Sequence, residues 1–162
     1  MAKKHAPKKA AKKAGMKAGA KRPDVDPNAP VPISSGKGPG PGEVGAGVLA
    51  MINAGKREDA IWAKWFSPKL VSIEGQMGMA WHGLKAVKGK AEWWYQAHKV
   101  HSMRADGPFV GATCFAIRFT IDVEELASGK RWQGEEFALY TVLNGKVIQE
   151  EFLGRPMPVD HA

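Results

Sequence analysis

Glu74, His98, His101, Glu136 and Tyr140 are the side chains of this sequence whose types and settings could move protons. A carboxyl taken out of water holds its proton more tightly, so it can act as an acid near neutrality or, once ionised, as a base. On that chemistry Glu136 or Glu74 would be the base or the raised-pKa acid. Tyr140 would donate to a developing oxyanion, and His98 or His101 would be the partner acid/base. Each also has a plainer role. His98 stands where a long helix ends and can complement its last carbonyls. His101 can be a solvated strand residue, Glu136 and Tyr140 can share a structural hydrogen bond, and Glu74 can end a strand. Trp62, Trp65, Trp94 and Phe119 have the bulk to fill a core or to line an apolar cavity.

Other chemistries lack their residues. His98 and His101 stand three apart without a clear third ligand, so no metal is expected. Cys114 is the single cysteine, which excludes a disulfide framework. It has no base nearby in sequence and reads as a small core residue. Gly36-Lys-Gly-Pro-Gly-Pro-Gly42 lacks the strand and helix that a phosphate loop needs and reads as a flexible linker. No cofactor is expected.

Strand parity limits which acids can act together. Glu136 and Tyr140 share one face of a strand over 135–143, and Glu150 and Phe152 share one face of the next. Asn144-Gly145 between the two strands is a two-residue hairpin signal. A straight hairpin through that turn pairs Leu143 with Lys146 and Thr141 with Ile148, so Tyr140 aligns with Gln149 rather than Glu150. Either Glu136/Tyr140 or Glu150/Phe152 then faces inward, but not both without a bulge.

The elements that must position these residues follow from periodicity. Val44, Val48, Leu49, Met51 and Ile52 give a helical stripe that stops at Gly55. Ile61, Trp62, Trp65 and Phe66 share one side of a short helix ending at Ser67-Pro68. Leu70–Glu74 reads as a strand, 75–83 as a glycine-broken loop, and Leu84–Ala97 as a helix. That helix has a stripe of Leu84, Val87, Ala91, Trp94, Tyr95 and His98, with Lys85, Lys88 and Glu92 on the wet side. Strand signals follow from 99. Phe115, Ile117, Phe119 and Ile121 alternate with smaller or polar residues, and Ala105–Pro108 and Ser128-Gly129 mark turns. Val100 and Met103 are out of phase for one face. Helices first, then antiparallel hairpins, give an α+β domain with helices on one face of a curved sheet.

The charge belongs to one end of the chain. Of the formal net charge of +8, all arises within residues 1–40, and the remainder is balanced. Residues 1–42 carry no aromatic and almost no branched aliphatic, too little to offset the entropy of ordering, so a disordered arm is expected. Lys3, Lys4, Lys8, Lys9, Lys12, Lys13, Lys17 and Lys21 include several like-charge i,i+4 pairs that oppose a helix. Such an arm is a solubilising extension or, by counterion release, a non-specific nucleic-acid binder over residues 1–22. No apolar run follows the lysines as a secretory signal requires, and none reaches membrane-spanning length. A cytoplasmic protein without membrane contact is expected.

Several segments together resemble one family. They are Asp59-Ala-Ile-Trp-Ala-Lys-Trp-Phe, Gly83-Leu-Lys-Ala-Val, Lys90-Ala-Glu-Trp-Trp-Tyr95, His98-Lys-Val-His101, Asp106-Gly-Pro-Phe109, Phe115-Ala-Ile-Arg-Phe-Thr-Ile-Asp122, Glu135-Glu-Phe-Ala-Leu-Tyr-Thr-Val142 and Asn144-Gly-Lys-Val-Ile-Gln-Glu-Glu-Phe152. Over about residues 43–155 the chain resembles the SnoaL-like branch of the nuclear transport factor 2-like superfamily. The resemblance implies a cone: a curved antiparallel sheet wrapped around three N-terminal helices, with residues 156–162 as a C-terminal tail. It also implies a pocket for a small apolar or aromatic ligand, and a homodimer through the outer sheet face. Two functions are open: a cofactor-free acid–base isomerase, cyclase or dehydratase, or a non-catalytic binding or dimerisation module tethered to nucleic acid by the arm.

Overall fold

The computed structural model describes residues 35–154. The expectations for the lysine-rich arm and for residues 156–162 lie outside these residues. The chain opens with α1 (Pro41–Asn53) and α2 (Glu58–Trp65), then β1 (Phe66–Glu74) and β2 (Met79–His82). Helix α3 (Leu84–Ala97) leads into a meander of β3 (His98–Val110), β4 (Cys114–Glu125), β5 (Arg131–Leu143) and β6 (Lys146–Gly154). This is an α+β fold with a curved, unclosed sheet of six strands in the order β2-β1-β6-β5-β4-β3. Among the described residues no helix is long and apolar enough to cross a membrane.

The sheet differs from the expected all-antiparallel one, because β1 runs parallel to β6. Tight turns fix the direction of neighbours within the β1–β2 hairpin and the β3–β6 meander, but not between β1 and β6. Strand β1 reaches β6 across most of the chain, with no turn to dictate antiparallel pairing. As expected, helix α3 follows the β1 strand and leads into the meander. The loop expected over 75–83 contains a 3-10 turn, Gly75–Met77, and strand β2 paired with β1. Gly78 in the left-handed region turns the chain between them. Four residues on a sheet edge carry too short an alternation to be read.

Two further boundaries move. Phe66 is already extended and buried in β1 rather than closing α2. Ala105–Pro108 is not a turn but an irregularity inside β3, where the register shifts between Asp106 and Phe109. Proline's missing N–H is tolerated there because β3 is an edge strand.

The core lies between the helices and the concave sheet face. Val44 and Val48 of α1 and Val87 of α3 join Leu70, Phe115, Ile117, Val142 and Val147 in one buried cluster. Helix α1 comes so close that a Cβ on Gly45 would lie 2.8 Å from the Phe115 ring. Before α1, the segment read as a flexible linker is held along the β5–β6 turn. Asn144 N–H donates to Ser35 O (2.7 Å) and Lys37 N–H to Asn144 Oδ1 (2.9 Å). Gly36 has positive φ and no room for a side chain against Asn144.

Candidate functional site

The bulge that parity required is present. Leu143 pairs with Lys146 and Val142 with Val147, as in a straight hairpin, but Thr141 then pairs with Gln149 and Tyr140 with Glu150. One extra residue, Ile148, is taken up on β6 between these pairs. Val147 and Glu150 therefore both face inward despite opposite parity, and Glu136, Tyr140 and Glu150 share the concave face. On the other flank of β6, Ser72 of β1 is level with Glu150, and Glu74 with Phe152.

Helix α3 closes this face with a cation. Lys90 follows Val87 by three residues and precedes Trp94 by four, which places it on the helix stripe turned to the sheet. Its Nζ donates to Glu74 Oε1 (2.5 Å) and Ser72 Oγ (3.0 Å). The ammonium also lies 4.4 Å from the Phe152 ring centroid and 5.1 Å from that of Trp81. From α2, Glu58 accepts a hydrogen bond from Tyr95 of α3 (3.0 Å). Tyr140, only 4% exposed, is stacked on Phe115 (centroids 4.9 Å) and edge-on to Phe66 (6.0 Å). Its hydroxyl makes no hydrogen bond among the described residues, and the same holds for the Glu136 carboxyl.

Burial without matching charge shifts the acids upward. Desolvation, with the Glu74 charge nearby, raises Glu136 to about 6 against a partial offset from Lys90. Glu150, 5% exposed, is raised to about 7, chiefly by desolvation, although a hydrogen bond from Ser72 and the Lys90 charge oppose it. Desolvation also raises Tyr140, reinforced by Glu150, Glu136 and Glu58, so its phenol stays protonated. Glu58 is raised by desolvation of its carboxyl even though the residue keeps an open outer side. Near neutrality this leaves Glu136 mostly ionised, Glu150 divided between its two forms and Tyr140 a neutral donor. Two carboxyls with raised pKa values and a protonated phenol thus stand on two adjacent strands.

Of the residues singled out from sequence, the structure brings together Glu74, Glu136 and Tyr140, with Phe119 directly opposite Glu136 on β4. The histidines stand apart from them. His98 Nδ1 meets the Trp94 carbonyl (3.0 Å) at the end of α3, and its ring stacks on Trp94. His101 Nε2 lies 2.8 Å from Glu124 at the open end of β3 and β4. Trp62 and Trp65 pack against the core. Among the described residues no group of three His, Cys, Asp or Glu is placed to hold a metal.

Sequence reading missed Glu150, Lys90, Ser72, Glu58 and Tyr95 as members of this cluster. A lysine on an otherwise apolar helix stripe was a usable signal for Lys90. Nothing local signals the Glu58–Tyr95 pair, whose members are 37 residues apart.

Residues 43–153 match the SnoaL-like domain. The chain belongs to the SnoaL-like family. A Mesorhizobium loti protein provisionally named a SnoaL-like polyketide cyclase, also given as a carbohydrate phosphatase, is 33% identical to it with a TM-score of 0.63. That alignment covers 68% of this chain and 96% of the other. A Pseudomonas putida protein provisionally named a polyketide cyclase shares the fold at 17% identity and a TM-score of 0.54, over 71% of this chain and 91% of its own. TerC, co-crystallised with polyporic acid, does so at 16% identity and 0.54, over 69% and 89%. No curated protein matches the sequence. The SnoaL-like domain therefore has its fold in common with these proteins, and its site is defined by its own residues.

Proposed function

We propose that the SnoaL-like domain binds a small organic molecule on its concave face and transfers protons on it without a cofactor. Glu136 takes a proton from a carbon next to a carbonyl, and Tyr140 donates a hydrogen bond to the enolate oxygen that forms. Glu150 returns a proton to another carbon, completing an isomerisation, or to a leaving hydroxyl, completing a dehydration. An enolate held in this way can also close a ring by attack on a second carbonyl. The observation that carries the reading is the convergence of Glu136, Tyr140 and Glu150 on one buried face through the Ile148 bulge. The co-crystallised ligand of TerC supports a small organic molecule as the class of ligand.

The test is a glutamate carboxyl-13C NMR titration together with deuterium exchange into 2-tetralone, a ketone with acidic α-hydrogens. Carboxyl midpoints near 6 and 7, assigned by Glu136→Gln and Glu150→Gln, are expected. Exchange should exceed that with buffer alone. Midpoints for both at the ordinary glutamate value, with exchange no faster than in buffer, overturn the reading.

The outer sheet face favours self-association as a second property. Phe109, Phe137 and Leu153 are exposed there, Phe137 paired with Leu153 and its ring 6.3 Å from that of Phe109. A homodimer through this face would cover them. Sedimentation should show a dimer that Phe137→Lys converts to a monomer.

A further inference from the structure

A groove of about 430 Å³ runs between edge strand β2 and helix α3. Met77, Met79 and Trp81 line one side, and α3 lines the other from Ala86 to Trp93. Met77, Met79 and Trp93 are 55, 46 and 58% exposed, so large apolar side chains lie open along one cleft. Apolar surface gathered in this way marks a place where something docks.

The chain itself leaves the fold beside this groove. Strand β6 runs parallel to β1 with Phe152 level with Glu74, and Glu74 is paired in turn with Met79 of β2. Phe152 and Met79 are thus two strand spacings apart, about 10 Å. The Phe152 ring centroid lies 4.4 Å from Nζ of Lys90, a residue of the groove lining. Two residues on, a Cβ at Gly154 would lie 2.9 Å from the Gln76 side chain, next to Met77. The described chain therefore ends against the turn that carries Met77. Its beginning, Ser35, is bonded to Asn144 at the other end of β6.

The sequence that follows Gly154 suits the groove. In Arg155-Pro-Met-Pro-Val-Asp-His-Ala162, four uncharged apolar residues stand in a row between Arg155 and Asp160. Proline fixes its own φ and steers the residue before it to extended geometry, so residues 155–158 are biased to the polyproline II form. Segments of that form dock on aromatic-lined grooves at low entropic cost. Pro156–Val159 would span about 12 Å in it, and the α3 wall from Ala86 to Trp93 spans about 10 Å. Lys90 on that wall is already paired with Glu74, so an uncharged segment strands no charge there.

We infer that residues 156–159 dock in the groove between β2 and α3 as an intramolecular strap, its prolines against the indoles of Trp81 and Trp93. The strap covers Met77 and Met79, and a molecule approaching Lys90 across the groove has to displace it. This inference does not depend on the proton-transfer reading of the concave face.

The test is hydrogen peroxide oxidation of the full chain, followed at each methionine by peptide mass spectrometry, since open thioethers oxidise to sulfoxides. Met103, 52% exposed on β3, is the internal reference. Removing residues 155–162 should speed oxidation of Met77 and Met79 by about threefold or more and leave Met103 unchanged, because the rate follows the population with the groove open. Met157→Asp, which keeps the full length but puts a charge on the strap, should do the same. Unchanged rates at Met77 and Met79 in both variants overturn the inference. Faster oxidation only on removing residues 1–34 also overturns it, by placing the N-terminal segment in the groove. Protection that fades on dilution does so too, by placing a second copy there. If removing residues 155–162 loosens the whole domain, Met103 speeds up as well, and the Met157→Asp result decides.

Discussion

The two faces of the sheet treat acidic residues in opposite ways. On the outer face Asp122 and Asp106 each have a basic partner. Asp122 accepts from Arg131 Nε (2.6 Å) and Nη2 (2.7 Å) and from Gln133 (3.0 Å), and these bonds hold it well below the usual carboxylate range. Asp106 is lowered likewise by Arg118 and Arg104. On the inner face Glu136 and Glu150 are raised, and Lys90 is the cation near both. An outer pair settles its charges locally through direct hydrogen bonds, whereas Glu136 and Glu150 have no ion pair of their own among the described residues. Acids kept in that state cost stability and gain the capacity to exchange protons near neutrality.

The sharpest break of this contrast is in activity. Glu136→Gln should slow deuterium exchange into 2-tetralone by about 10²–10⁴-fold, while Asp122→Asn leaves it within about twofold. Next, Lys90→Met leaves the Glu74 carboxylate buried without its partner. Urea unfolding at pH 7 should report a loss of about 3–5 kcal/mol. Glu136 and Glu150, which Lys90 lowers, should then titrate higher still.

Glu150→Gln should have the opposite sign. Its folded pKa, about 7, lies above the ordinary glutamate value of 4.5, so the native state binds the proton more tightly and stability falls as pH rises between those values. Removing the titration should stabilise the domain by about 3 kcal/mol at pH 8, with the gain vanishing below the lower value. The smallest effect belongs outside. Asp122, lowered from 3.8, contributes stability that is full above that value and lost as pH falls through its folded pKa. Asp122→Asn should therefore reduce Tm at pH 7, and the difference should close in strong acid.

Much of the fold was legible because its signals are local. The stripe of α1, the alternation of β4 and the Asn144-Gly145 turn each depend on neighbours a few residues apart, and each element forms where its pattern lies. What escaped depends on distance or on counting. No turn dictates the parallel pairing of β1 with β6. Strand β2 has four residues and one partner. The site depends on whether β6 takes up an extra residue: alternation alone puts either Glu136 and Tyr140 or Glu150 on the inner face, and the Ile148 bulge puts all three there. His98 and His101 were attractive by type, but the helix end and the strand end that hold them supply ordinary partners, Trp94 O and Glu124.

The seat of Ser35–Gly40 on the Asn144-Gly145 turn bears on how the domain can be handled. Asn144 follows Glu136 by eight residues of β-strand, which is about 26 Å of extended chain. A label, resin or fused protein joined at Ser35 would thus be anchored well along β5 from Glu136, at the turn that ends the strand. Immobilised by that point, the domain would be held through its β5–β6 turn, at a distance from the Glu136 carboxyl.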